Sequence, residues 1–351
     1  MLPYWLTFFI FAFGSLSRPF QTDRRLGPVL GAALVALTLF VGLRYNVGAD
    51  WRIYYSMYTR AALLDWGRLM VYGDRGFYTV AWALSHGDIG FWSLNLVCAV
   101  IFMVGLTAFA KRTPNPWLTI SVALPYLIIV VAMSAIRQAA AIGLFYLAIN
   151  AYQDRRLFLA AVWVLLGATF HASAIIMLGV FGFAFSRNRF QGALIIGVTA
   201  YIATYVLSAN FDTYNTRYGQ HAVESSGTIY RILMNIAAAL PYLFLRKHFP
   251  VAADHERKLW SYLSWLSLAC LPALAVVNSS TALDRFALYL FPLQTYVLGW
   301  IPVVLTRNGG NVRNWTILLL AYLAIVLFVF LNFAVNASSS IPYRFYPFFG
   351  E

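Results

Sequence analysis

Residues 155–187 read RRLFLAAVWVLLGATFHASAIIMLGVFGFAFSR, and where this run breaks decides the fold. Read as one helix, it is a single membrane span, and every later basic loop moves to the opposite face. Read as two helices meeting at His171, it keeps the basic loops together. Excess Lys and Arg mark the cytoplasmic side of a membrane protein, so a break near His171 is expected. At about 1.5 Å per residue, Arg156 to His171 covers roughly 22 Å and His171 to Arg187 roughly 24 Å. Neither reaches the roughly 30 Å of a hydrocarbon core. His171 is therefore expected at the tip of a helical hairpin, just below the outer surface, where irregular backbone survives only against protein or a wet cavity.

The rest of the chain agrees with a membrane setting. Hydrophobic residues make up 61% of the 351 and charged ones 11%, against about a quarter charged in a soluble domain. Twelve spans are expected, at about 3–17, 27–43, 91–110, 116–133, 136–151, 157–170, 172–185, 192–209, 228–245, 259–277, 284–305 and 314–334. They form one polytopic, all-α integral membrane domain over residues 1–351. Each proposed inner loop is basic: Arg18/Arg24/Arg25, Lys111/Arg112, Arg155/Arg156, Arg187/Arg189, Arg246/Lys247/Arg257/Lys258 and Arg307/Arg313. Both termini then lie outside. The net charge of +13 is thus a topology signal, and no nucleic-acid partner is expected. Met1–Ser17 lacks the basic leader of a cleavable signal and reads as the first span. Cys98 and Cys270 both fall inside apolar stretches, which supports neither a disulfide framework nor a metal cluster.

Three outer segments have substance. Residues 44–90 carry the aromatic stripe Trp51, Tyr54/Tyr55 and Tyr58 at helical spacing, which suits a helix lying in the interface. Residues 210–227 are polar and turn-rich. The aromatic tail 335–351 is expected to fold back onto the outer face.

This outer face should be poor in positive charge, yet it holds Arg44, Arg52, Arg60, Arg68, Arg75, Arg137, Arg217, Arg231, Arg285 and Arg344, and no lysine. Arginine is the side chain suited to bidentate recognition of phosphate and carboxylate, so an outward-facing site for an anionic head group is expected. Its candidate residues fall in four clusters. Arg44, Asp50 and Arg52 follow the second span, where Asp50 reads either as a base or as the cap of the next helix, and Arg44 either as a ligand or as a snorkelling side chain. Arg137 lies among small residues that allow close helix approach. It is costly there unless paired or wet, with Asp284 or Asp50 as an ion-pair partner in the structural alternative. His171 is a candidate general base or phosphate donor, or else a hydrogen-bonded core residue. Arg285 opposes a helix dipole unless an anion sits beside it, whereas Asp284 is equally a cap. Arg217 and Arg231 are further diphosphate candidates, and Trp51 and Tyr54 are candidate sugar contacts. No second His or Cys lies at ligand spacing, so neither a metal nor a cofactor is expected.

Together these residues resemble the EpsG family, a branch of the Wzy-type polysaccharide polymerases. The resemblance rests on Gly48-x-Asp50-Trp51-x-x-Tyr54, Gly76-Phe77, Arg137-Gln138-x-x-Ala141, His171-x-Ser173-Ala174 and Asp284-Arg285 with Tyr289, over roughly residues 40 to 295. Where the family often carries a glutamate, this chain has Gly73-Asp74-Arg75, so no acidic role is carried over to Asp74. The resemblance implies a bacterial inner-membrane glycosyltransferase with a GT-C-like polytopic architecture. It would join polyprenyl-diphosphate-linked oligosaccharide units on the periplasmic or external face, with a lipid-linked donor, a lipid-linked acceptor and a chain-length regulator as partners. Arg137 and Arg285, then Arg44 and Arg52, would stabilise the departing diphosphate, while His171 and Asp50 stay open as alternatives for the base. The competing readings are a flippase for the same lipid-linked sugar and a glycan ligase. A transporter should show paired broken helices in both halves, and only one break, at His171, is legible.

Overall fold

In the computed structural model the chain is described over residues 1–17, 27–69, 73–186, 188–208, 227–251, 253–276, 280–307 and 309–349. Each apolar stretch named above is helical over most of its described residues. In chain order the helices are α1 (Leu2–Ser17), α2 (Pro28–Gly42), α3 (Trp51–Ala62), α4 (Trp66–Leu69), α5 (Arg75–His86), α6 (Trp92–Ala110), α7 (Pro116–Ala123), α8 (Ile136–Gln153), α9 (Leu157–Phe170), α10 (Ile176–Phe185), α11 (Arg189–Ser208), α12 (Thr228–Leu245), α13 (Asp254–Val276), α14 (Ser280–Leu288), α15 (Phe291–Leu305), α16 (Val312–Phe333) and α17 (Tyr346–Phe349). Among the described residues there is no strand, only an isolated bridge between Arg44 and Phe345. Among the described residues, four helical stretches are long and apolar enough to cross a membrane: Trp92–Ala110, Thr228–Leu245, Leu283–Leu305 and Val312–Phe333. Large apolar side chains such as Phe13, Phe158 and Phe244 face outward, as a lipid-facing surface requires.

Two helices depart from the regular spans the sequence predicts, each at a proline or a turn. Pro125 lacks a backbone N–H and crowds the preceding turn. The chain beyond α7 accordingly continues in π-helical form over Leu124–Ala132 and breaks at Ala135 (φ −94°, ψ 64°) before α8 begins. The stretch 284–305 is likewise divided, into α14 and α15, by a turn at Tyr289–Leu290.

The helix α8 is the centre of the bundle, with Ala139 to Gly143 all buried and with α6 and α9 packed on either side. Small residues set that approach. A Cβ on Gly105 of α6 would lie 1.9 Å from the Gly143 carbonyl oxygen, and one on Gly143 would lie 2.5 Å from the Phe102 Cα.

The expected break at His171 is present. The residue is extended (φ −151°, ψ 111°) and is followed by a 3₁₀ turn over Ala172–Ile175. The two ends of the bundle have different chemistry. At one, the loops around 112, 154 and 255 meet: Arg112 forms a bidentate pair with Asp154 (2.8 and 2.7 Å), Gln153 donates to Glu256 (2.6 Å), and His255 Nε2 lies 3.2 Å from the Tyr152 carbonyl. At the other lie the starts of α3, α5, α8 and α12, the 171 break and α14. The tail folds onto this second end. Tyr4 donates to the Ser340 carbonyl (2.5 Å), Tyr343 to that of Phe40 (2.7 Å), and the Tyr45 N–H to that of Arg344 (2.9 Å).

Candidate functional site

The site is assembled from helix starts and the helix break at His171, because those are the places where backbone groups and side chains can face a common space. Arg137 stands in the first turn of α8. Its guanidinium lies over the rings of Tyr54 (5.6 Å) and Phe77 (5.7 Å), and its Nη1 meets Asp74 Oδ2 at 2.5 Å. Asp74 immediately precedes α5 in a left-handed conformation (φ 54°), and its other oxygen accepts the Ala172 N–H at 3.0 Å. One carboxylate therefore ties Arg137 to the hairpin break. The ion pair expected with Asp284 or Asp50 is formed with Asp74 instead, so this residue has a structural role that the family pattern did not carry over to it.

The break presents His171 to Arg285. Arg285 Nη1 lies 3.0 Å from His171 Nε2, and His171 Nδ1 lies 2.6 Å from Ser173 Oγ. Arginine only donates, so Nε2 must accept. The imidazole is then neutral, carries its proton on Nδ1 and donates it to Ser173. With the Nε2 lone pair engaged, this arrangement makes His171 a brace for Arg285 and leaves no free basic nitrogen. Gln138 holds the same residue from the other side, donating to the Arg285 carbonyl at 2.6 Å. Arg231, at the start of α12, is held by Asp284 and by the Tyr126 hydroxyl, and Asp284 also accepts from Thr228 Oγ1 at 3.3 Å.

Asp50 sits among these arginines. It holds the N-cap position of α3, yet its side chain makes no cap hydrogen bond, so the capping explanation of this aspartate is not realised. Among the described residues nothing hydrogen-bonds its half-buried carboxylate. Burial lifts its pKa above the ordinary carboxylate value, while Arg285, Arg137 and Arg231 pull it down. The same carboxylate thus feels all three cations and is bonded to none.

The loop that carries it is held firmly. Gly48 has φ +105°, and a Cβ there would lie 2.0 Å from the Met133 carbonyl oxygen. Only glycine combines that conformation with that approach. The Ala49 N–H donates to Ser134 Oγ (3.1 Å), and the Gly48 N–H to the Ser339 carbonyl of the tail (2.9 Å).

Arg44 belongs to this scaffold rather than to the open cluster. It is 1% exposed. Its Nε donates to Met133 O (2.9 Å) and Val47 O (3.1 Å), its Nη1 to Val41 O (2.7 Å), and its Nη2 to Asn95 Oδ1 (3.4 Å). A diphosphate role was expected for Arg44; the guanidinium is instead consumed in joining the Asp50 loop to the break before α8. Arg52 lies on the exposed face of α3, and Arg217 falls outside the described residues, as does most of the segment 210–227. Tyr54 is 4% exposed beneath Arg137, which makes it a support for that cation rather than a sugar surface. Trp51 is half-buried in an aromatic group, stacked on Tyr55 (5.6 Å, 4°) with Phe91 and Tyr45 edge-on.

Sequence reading missed Asp74 and Tyr126. The available signal for Asp74 was an acid immediately before a helix that opens with the aromatic pair Phe77 and Tyr78. That pattern usually denotes a cap and does not reveal a partner 63 residues away. Among the described residues no group of three or more His, Cys, Asp or Glu is placed to hold a metal ion.

Residues 29–345 match the family model described as the EpsG family. No curated protein and no solved structure matches the chain.

Proposed function

The chain belongs to the EpsG family, and from that premise we propose that it is a membrane glycosyltransferase that polymerises polyprenyl-diphosphate-linked oligosaccharide units, in a twelve-span, GT-C-like bundle. Membership by itself points to a polysaccharide-polymerase type of function in a helical membrane protein. The finer reading rests on one observation: Asp50 lies in the field of Arg285, Arg137 and Arg231 and is hydrogen-bonded to none of them. Placing this end of the bundle on the periplasmic or external side follows from the basic loops gathered at the other end.

In the proposed reaction the acceptor hydroxyl oxygen attacks the anomeric carbon of the donor glycan. The bond from that carbon to the diphosphate oxygen breaks, and the polyprenyl diphosphate leaves with the bonding pair. The hydroxyl proton passes to Asp50, whose burial raises its basicity toward working pH. Arg137 and Arg285, with Arg231 beside them, stabilise the charge that grows on the departing diphosphate. Preoriented cations in a water-poor site are worth far more than the same charges in solvent. Asp74 and His171 are positioning residues: each holds one arginine in place before substrate arrives. Arg52 and Trp51 stand at the rim, in the first turn of α3 directly after Asp50.

The test is a polymerisation assay. Purified protein in liposomes receives a polyprenyl-diphosphate-linked repeat unit, and the products are resolved by gel. A ladder of repeat multiples is expected, absent with Asp50→Asn and strongly reduced with Arg137→Lys, since a lysine keeps the charge but not the planar fork. Transfer without growth in repeat number would establish a ligase. Transbilayer movement of unmodified substrate would establish a flippase and sink the reading.

A further inference from the structure

At the end of the bundle opposite the arginine–aspartate cluster, α9, α10 and α11 line an open cleft of about 500 Å³, inside the range of small-ligand sites. Its walls are mostly apolar, with two polar residues at one end. Leu157, Ala161, Leu178 and Leu194 make the apolar part, and Ser186 and Gln191 lie where α10 ends and α11 begins. Arg155 and Arg156 directly precede the wall residue Leu157, and both are exposed. Neither forms an ion pair or hydrogen bond through its side chain with any described residue. The nearby carboxylates are already engaged: Asp154 pairs with Arg112, and Glu256 accepts from Gln153 and Trp260. Asp254 is exposed at the start of α13.

An apolar slot with a polar end and two unneutralised arginines at its mouth has the chemistry of an amphiphile site. In a helical membrane protein, basic pockets between helices recognise anionic head groups. We propose that this cleft binds an anionic phospholipid from the leaflet remote from the glycosyl-transfer site. One acyl chain lies along Leu157 and Leu194, and the phosphate sits at Arg155 and Arg156. A neutral lipid would fill the slot but leave both guanidinium groups uncompensated. The proposal is independent of the polymerase reading, since neither arginine and no wall residue touches the cluster around Asp50.

Each basic residue near an anionic lipid favours binding about five-fold, so the pair predicts a preference of roughly thirty-fold for an anionic over a zwitterionic head group. Binding of phosphatidylglycerol and phosphatidylcholine of matched chains to the full-length protein in detergent, measured by native mass spectrometry, reads this ratio directly. Arg155→Gln/Arg156→Gln should cut this preference several-fold. Ala161→Phe, which fills the slot, should weaken both lipids together. Melting temperature serves as the folding control for each variant. Equal affinity for the two lipids in the unaltered protein would mean that acyl chains merely fill the slot, and would overturn the proposal. So would a preference untouched by removing both arginines.

Discussion

Removing the carboxylate of Asp74 perturbs the ion pair on which Arg137 depends, and the structure sets the size of the effect. The two side chains are 14% and 15% exposed and meet at 2.5 Å. Breaking such a largely buried pair from one side leaves an uncompensated charge, which costs about 3–5 kcal/mol. With some water access remaining, the lower end applies, so Asp74→Asn should destabilise the fold by about 3 kcal/mol. The amide still accepts the Ala172 N–H but turns a donor or a weaker acceptor toward the guanidinium. Arg137→Gln should cost a similar amount, because it strands Asp74. The double variant should cost far less than the sum, giving a coupling of about 2–3 kcal/mol. Denaturant unfolding in mixed micelles measures all four corners of the cycle. The exposed pair Arg68–Asp65, at 77% and 63% exposure, is the internal control and should contribute less than about 1 kcal/mol. Polymerisation by Asp74→Asn should drop in parallel, because Arg137 loses its brace. Additive single costs, or an Asp74→Asn protein with full stability and activity, would refute the reasoning.

Asp50→Asn should abolish polymer formation while leaving the fold at least as stable at neutral pH. Burial raises this carboxyl's folded pKa, so folding disfavours its ionised form, and the penalty grows as pH rises through the unfolded and then the folded value. By the same shift, the acid limb of the rate should lie above the ordinary carboxylate range, with activity falling as pH falls through it; a limb at the ordinary range would count against Asp50 as the base. His171→Ala should lower the rate about ten- to hundred-fold through a misplaced Arg285 while the acid limb stays where it was. Disappearance of that limb would instead make His171 the base. Gly48→Ala meets both a positive φ and the Met133 carbonyl and should destabilise by at least about 1–3 kcal/mol, read as a lowered melting temperature; an unchanged melt would show that the loop can move away.

The sequence by itself determined the class of protein, the approximate positions of its apolar helices and the break at His171, because these depend on local quantities: runs of apolar residues, the spacing of basic loops and the length of chain between them. It also identified Asp50, Arg137, His171 and Arg285 as residues of interest, since ionisable groups at the ends of apolar helices are expensive and therefore few. Tertiary structure decided the roles. Arg44 and Arg137 look alike in sequence, each a single arginine at a helix end. Packing closes backbone carbonyls around Arg44 and makes it a clamp, and it sets Arg137 against Asp74 and two aromatic rings. Asp50 and Asp74 likewise both directly precede helices at the same end of the bundle, yet only Asp74 finds a guanidinium and an N–H. His171 was equally a base or a core histidine until Arg285, 114 residues away, claimed its lone pair. Pairings of this kind are fixed by which helix starts converge in space, a property of how the whole bundle packs that no local pattern in the chain encodes.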